Sequence, residues 1–182
     1  ALYQLDQFVT LVNRMRKLEI APKVRHTASS AAMILFEKTH FDLVRPGISL
    51  YGHWPSKETY VSFLMSGGHN ELFAPTLTWR TRVTKIKEVK AGAFVGYGCT
   101  YRTTTPTRLA ILPIGYYDGY ARALSNQAYV LIRGKRAPVR GRICMNLTMV
   151  DITHIPGVKL HEPVTLIGRD KDETISVEQL AS

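Results

Sequence analysis

Residues 77–84 read LTWRTRVT, and their alternation decides the fold. Leu77, Trp79, Thr81 and Val83 fall on one face of an extended chain, and Thr78, Arg80, Arg82 and Thr84 fall on the other. That period of two belongs to a half-buried antiparallel strand. The same mode continues toward the C-terminus, where 107–114, 128–133, 136–140, 143–152 and 163–168 are further candidate strands. Gly92, Gly134, Gly141 and Gly157 punctuate this half. An antiparallel β domain, a small barrel or sandwich, is expected over residues 76–182, incomplete at its C-terminus.

On the N-terminal side the period lengthens. Leu5, Phe8, Val9, Val12 and Met15 recur at helical spacing, which predicts an amphipathic helix over 5–18. Pro22 breaks it, and Lys23–His26 reads as a short strand. Ser29 and Ser30 are cap-type residues before an apolar helix, Ala31–Phe36. Phe41–Val44 reads as a second short strand, closed by Arg45-Pro46-Gly47. Two strand–helix steps in so few residues suggest the end of a parallel barrel or doubly wound sheet over residues 1–52. Residues 53–75 are mixed and polar, with Gly67-Gly68, and read as a connection. The fold class expected is therefore α/β plus all-β.

The chain has 182 residues, 45% hydrophobic and 21% charged, a globular composition. No apolar run approaches the roughly 18 residues of a membrane-spanning helix. The opening ALYQLDQFVT lacks the charged start and apolar centre of a signal peptide. It begins with Ala in what reads as a first helical turn and ends at SVEQLAS, a helix start, so a piece of a longer protein is expected. Lys and Arg exceed Asp and Glu by ten. Such an excess favours an anionic partner, whether nucleic acid, acidic membrane or phosphorylated ligand; a solvated basic surface, or a fragment separated from a more acidic half, is the simpler reading. Cys99 and Cys144 form no CxxC, and His26, His40, His53, His69, His154 and His161 show no metal-ligand spacing. A reduced, cytoplasmic setting without a metal is expected.

Several short segments carry candidate chemistry. Arg45-Pro46-Gly47-Ile48 ends a strand, where backbone N–H groups of a barrel hold phosphates; a plain strand-ending turn is the simpler reading. Ser29-Ser30 could hold a phosphate or merely cap a helix. Gly96-Tyr97-Gly98 sets a phenol between two turn residues. Gly115-Tyr116-Tyr117-Asp118-Gly119-Tyr120 packs three tyrosines and two glycines into six residues, too many for packing alone. An interface or a base-stacking surface would use them. In Gly141-Arg142-Ile143-Cys144-Met145-Asn146 the thiol reads as inert packing rather than a nucleophile.

Taken together, HTASSAA (26–32), FDLVRPGISLYG (41–52), VGYG (95–98), LPIGYYDGYARALS (112–125), GRICMNLTMVDIT (141–153) and EPVTLIG (162–168) resemble the alanine racemase family in order and approximate spacing. The resemblance implies the last units of an N-terminal (β/α)8 barrel followed by a C-terminal β domain. It implies pyridoxal 5′-phosphate as cofactor and electron sink for removing the α-proton of an amino acid.

The resemblance also assigns residues. Inversion needs a base on each face. One is the cofactor lysine, whose motif matches no lysine here, so the isolated chain is expected to be inactive. The other is Tyr97, which needs positive or hydrogen-bonding neighbours because a free phenol has a pKa of about 10. Arg45 would assist Tyr97 and hydrogen-bond the pyridine nitrogen, and a guanidinium donor disfavours a protonated pyridine. Ser30, with the N–H groups of Gly47 and Ile48, would hold the phosphate. Ser29 stands where the common motif has Asn. Tyr97, Tyr116 and Met145 would face the partner's cofactor in a head-to-tail homodimer, Tyr116 narrowing the entrance and Met145 lying near the substrate carboxylate. Arg122 and Arg142 would line the corridor that draws in the carboxylate. Asn146 replaces the commoner Asp.

The resulting expectation is interconversion of L- and D-alanine, supplying D-alanine for peptidoglycan, with no nucleic-acid or membrane partner. Serine and broad-specificity racemases share these motifs and stay open as substrates. A basic β module that binds nucleic acid is the other class of reading, weakened by charges scattered through the strands.

Overall fold

A computed structural model describes residues 2–69 and 72–181. Ala1, read above as part of the first helical turn, and Ser182 at the end of SVEQLAS lie outside the described residues. The chain divides into two compact units, Ala1–Thr76 and Leu77–Ser182.

The first unit carries α1 (Leu2–Lys17), α2 (Ser30–Leu35) and α3 (Lys57–Met65). Helix α1 ends on Arg14, Arg16 and Lys17, cations suited to the negative end of its dipole. Helix α3 falls within the span read as a connection. Its start is set by Ser56, whose Oγ accepts from the Thr59 N–H at 3.2 Å. Trp54 gathers Tyr60, Phe63 and Phe73 with ring centroids 4.9–5.2 Å apart.

The two strands expected at Lys23–His26 and Phe41–Val44 do not form regular ladders. Their segments nonetheless run in parallel at a constant offset. Asp42 N–H donates to Arg25 O at 3.1 Å and Arg45 N–H to Ala28 O at 2.9 Å. The return bond is missing because Arg25 N–H goes to the Asp42 carboxylate at 2.9 Å, seventeen residues on. A side chain thus takes the place of a ladder carbonyl. Phe41 also adopts a left-handed φ of 49°, which no strand residue uses.

The second unit is antiparallel throughout. Its strands are β1 (Trp79–Arg82), β2 (Lys85–Val89), β3 (Phe94–Val95), β4 (Tyr101–Arg102), β5 (Thr107–Leu112), β6 (Tyr129–Ile132), β7 (Lys135–Pro138), β8 (Thr148–Asp151), β9 (Pro163–Asp170) and β10 (Glu173–Ile175), followed by α4 (Val177–Ala181). One sheet runs β1-β9-β6-β7 with β10 on β9, a second runs β2-β5-β8, and β3 pairs with β4. The alternating stretch from Leu77 to Thr84 spans the switch between the first two. Val83 N–H bonds Glu162 O beside β9, whereas Thr84 N–H bonds Ile111 O in β5. Val83, Leu112, Val130, Ile132, Val150 and Leu166 meet in the core between the sheets, all fully buried.

The strand expected over 143–152 is confined to Thr148–Asp151. Its first half is a turn, because Cys144 N–H donates to Leu147 O at 2.9 Å. Strands β2, β3, β4 and β10 were not read from the sequence; β3 and β4 have only two residues each.

Candidate active site

In the first unit the offset that joins Arg25 to Asp42 and Ala28 to Arg45 brings Ser30 to Gly47. The Gly47 N–H donates to Ser30 Oγ at 2.8 Å. Ser30 is buried at the first position of α2. Its oxygen accepts, so its own proton stays available to an anion. Ile48, half-exposed, begins the turn that follows. Ser29 occupies the N-cap position through its backbone but its side chain makes no cap bond, contrary to the capping expected of it. Ser29 is exposed, so its hydroxyl is open to solvent and does not need a cap bond.

Arg45 lies on the wall of a cavity of about 390 Å³ with Phe8, His26, Thr27, Ala32 and Thr39. Its Nη2 donates to Thr27 O at 3.5 Å. Among the described residues, the lining of this cavity contains no carboxylate. The Arg45 guanidinium suits a ring-nitrogen acceptor, and the Ser30 hydroxyl, which lies outside this lining and is held by the Gly47 N–H, suits a phosphate.

In the second unit, three loops far apart in sequence enclose another cavity of about 390 Å³. Tyr97, Tyr116, Arg122, Arg142 and Met145, all singled out above, line it together with Ile143 and Cys144. Tyr97 is 72% exposed and Met145 56%, as open-faced groups would be. The Arg122 guanidinium sits 5.7 Å from the Tyr116 ring centroid, a cation–π contact. Cys144 is a free, half-buried thiol on this wall, not core packing, and donates to Arg142 O at 3.6 Å.

Glycines let the loops meet. Gly96 has φ 80°, and a Cβ there would stand 2.9 Å from Arg142 N. Gly141 has φ 79°, and its Cβ would stand 2.5 Å from Val95 O. Both need a left-handed backbone and a bare Cα. The Tyr-rich loop is tied down by Tyr116 N–H to Cys144 O at 3.0 Å and Tyr117 N–H to Met145 O at 2.9 Å. Asp118 closes it by accepting from Gly115 N–H at 2.9 Å. Sequence reasoning missed Ile143 and Cys144 as wall residues and gave Asp118, Ser125 and Asn126 no role. Their signal was only turn-type composition.

Comparison with known proteins defines the class to which the chain belongs. The model of the alanine racemase C-terminal domain matches residues 76–182, and that of the alanine racemase N-terminal domain matches residues 1–55. The chain belongs to the alanine racemase family. Alanine racemase of Leptospira interrogans is 42% identical over 181 residues, covering 100% of this chain and 46% of that protein. The crystal structure of alanine racemase from Bacillus anthracis with bound L-Ala-P matches with TM-score 0.85 and 37% identity, over 98% of this chain and 44% of that one. Alanine racemase from Bartonella henselae with covalently bound pyridoxal phosphate matches with TM-score 0.75 and 31% identity, over 98% and 45%. The chain thus spans about half the length of the relatives it matches. Among the described residues, no helix is long and apolar enough to cross a membrane, and no group of three His, Cys, Asp or Glu could hold a metal ion.

Proposed function

We propose that this chain forms part of a pyridoxal-phosphate-dependent racemase that interconverts L- and D-alanine, supplying D-alanine for peptidoglycan in the cytoplasm. One observation carries the reading. Tyr97, Tyr116, Arg122, Arg142 and Met145 come from three separate motifs, yet they line one cavity that holds two guanidinium groups and, among the described residues, no carboxylate. Such a wall attracts the carboxylate of a small amino acid and offers a phenol to its α-carbon.

Pyridoxal phosphate, when bound, supplies the electron sink that makes an α-proton removable. The chain's own residues hold and move charge around it. Ser30, its oxygen held by the Gly47 N–H, would donate its hydroxyl proton to the phosphate, with the Ile48 N–H beside it and Ser29 at the rim. Arg45 would donate to the pyridine nitrogen and, as a guanidinium that stays protonated, would disfavour a protonated pyridine. Tyr97 takes the proton from the L face. Arg122 and Arg142 line the corridor that draws in the carboxylate, Met145 packs near the bound carboxylate, and Tyr116 narrows the entrance. A second copy of the protein completes the site, the β domain of each subunit facing the cofactor of the other.

The test is chiral analysis of the full-length protein supplied with pyridoxal phosphate and L-alanine, with L-serine in parallel. D-alanine formation is expected, with serine turned over more slowly. Faster turnover of serine would reassign the substrate, and inversion of neither amino acid would contradict the reading.

A further inference from the structure

We infer that Ser125 and Asn126 are positioning residues for proton transfer at Tyr97, acting through Arg142. The inference rests on the racemase reading above. Neither residue lines the cavity, so neither touches substrate. Both instead grip the backbone on either side of Arg142. Asn126 Oδ1 accepts from Gly141 N–H at 2.6 Å, and Ser125 Oγ accepts from Ile143 N–H at 3.0 Å. Gly141 and Ile143 are buried, and buried N–H groups need partners. No nearby strand supplies one, because regular pairing of this segment begins only at Thr148.

The same two side chains reach the other loops of the cavity. Ser125 Oγ donates to Arg122 O at 2.5 Å, and Asn126 Nδ2 donates to Thr100 O at 3.5 Å. Thr100 follows the Tyr97–Cys99 turn directly. Two adjacent residues therefore fasten the Arg122 turn, the Arg142 loop and the Tyr97 loop to one another. Asn126 holds a left-handed φ of 59°, a conformation that Asn tolerates better than most residues. The amide thus serves the backbone and the clamp at once.

What the clamp aims is the Arg142 guanidinium. A Cβ on Gly98 would lie 3.4 Å from its Nη1 and 3.6 Å from its Cζ, so the guanidinium rests against the backbone next to Tyr97. An arginine side chain is long and flexible. It keeps one placement beside the phenol only if the backbone that bears it is fixed. Releasing either grip lets Arg142 drift from the Tyr97 loop, while the cofactor-holding residues of the first unit are left untouched.

The experiment uses the full-length holoenzyme in D2O and follows replacement of the α-hydrogen of L-alanine and of D-alanine separately. Ser125→Ala removes one grip. Asn126→Gly removes the other while keeping the left-handed backbone. Ser125→Thr keeps the hydroxyl. For Ser125→Ala and Asn126→Gly, exchange from L-alanine is expected to fall about 10–100-fold, the cost of a misplaced group near the reacting atoms, while exchange from D-alanine is retained. Ser125→Thr is expected to recover the L-face rate. Equal losses on both faces, no loss on either, or a Ser125→Thr variant as impaired as Ser125→Ala would overturn the proposal. Absence of exchange from both enantiomers in the unsubstituted holoenzyme would instead contradict the racemase reading and remove the proposal with it.

Discussion

The Gly47 N–H donates to Ser30 Oγ at 2.8 Å across seventeen residues of sequence. The same separation relates Arg25 to Asp42 and Ala28 to Arg45. The pair is therefore the last rung of a parallel register, with a hydroxyl where a carbonyl would stand. Ser30→Ala removes that rung and the donor offered to a phosphate. In the full-length protein, affinity for pyridoxal phosphate is expected to fall about 10–100-fold, the worth of one hydrogen bond to a charged group. Equilibrium titration with the cofactor measures it, and an unchanged affinity would remove Ser30 from the phosphate site.

Gly115 has no room for a side chain. A Cβ there would stand 2.1 Å from Cys144 O and 2.5 Å from Met145 O. Those carbonyls accept from Tyr116 and Tyr117, so they cannot withdraw without losing both bonds. Gly115→Ala is expected to destabilise the protein by about 3 kcal/mol, at the upper end of overpacking costs. Chemical denaturation would show the loss, and a neutral substitution would mean that the loop is held by other contacts.

Tyr120 is buried to 1% exposure, with its ring 6.0 Å from that of Trp79 in an edge-on contact. Its hydroxyl finds no hydrogen-bond partner among the described residues, and burial pushes it well above the usual phenol range. Tyr120→Phe keeps the ring and removes a polar group that folding strips of water. Stability is expected to be unchanged or to rise by about 1 kcal/mol. Tyr120→Leu loses the aromatic contact and is expected to lower it. A clear loss of stability in Tyr120→Phe would show that the hydroxyl is bonded.

Asp42 accepts from Arg25 Nε at 2.8 Å, from Nη2 at 3.0 Å and from the Arg25 N–H at 2.9 Å. The Arg25 side chain, and then its N–H, lower the carboxyl to about 2. A carboxylate held below its unfolded value of about 3.9 stabilises fully above that pH. The contribution is lost as pH falls through about 2. The carboxyl resonance of Asp42 is expected to titrate near 2, and Asp42→Asn is expected to abolish this acid-dependent component. Titration near 4 would show that the pair is open in solution.

Much of this was legible in the sequence, and the exceptions have physical causes. The alternation from Leu77 to Val83 announced a sheet, and the spacing of Leu5, Phe8 and Val12 announced α1. The strands expected at Lys23–His26 and Phe41–Val44 do not form as ladders, since the Asp42 carboxylate takes an N–H that a ladder would have used. The turn at Cys144–Leu147 is invisible to periodicity because Ile143 and Cys144 are as apolar as a strand. Resemblance assigned Tyr97, Tyr116, Arg122, Arg142 and Met145, and only the geometry shows them around one cavity. The clamp by Ser125 and Asn126 left no pattern, because it works through two hydrogen bonds to backbone at Gly141 and Ile143.

The central claim is that Tyr97 takes the proton on one face of the substrate. Its direct test is Tyr97→Phe in the full-length holoenzyme, with α-hydrogen exchange in D2O followed separately for the two enantiomers of alanine. The account predicts that exchange from L-alanine is lost, exchange from D-alanine continues and the cofactor stays bound. Continued racemisation of both enantiomers by that variant would contradict it.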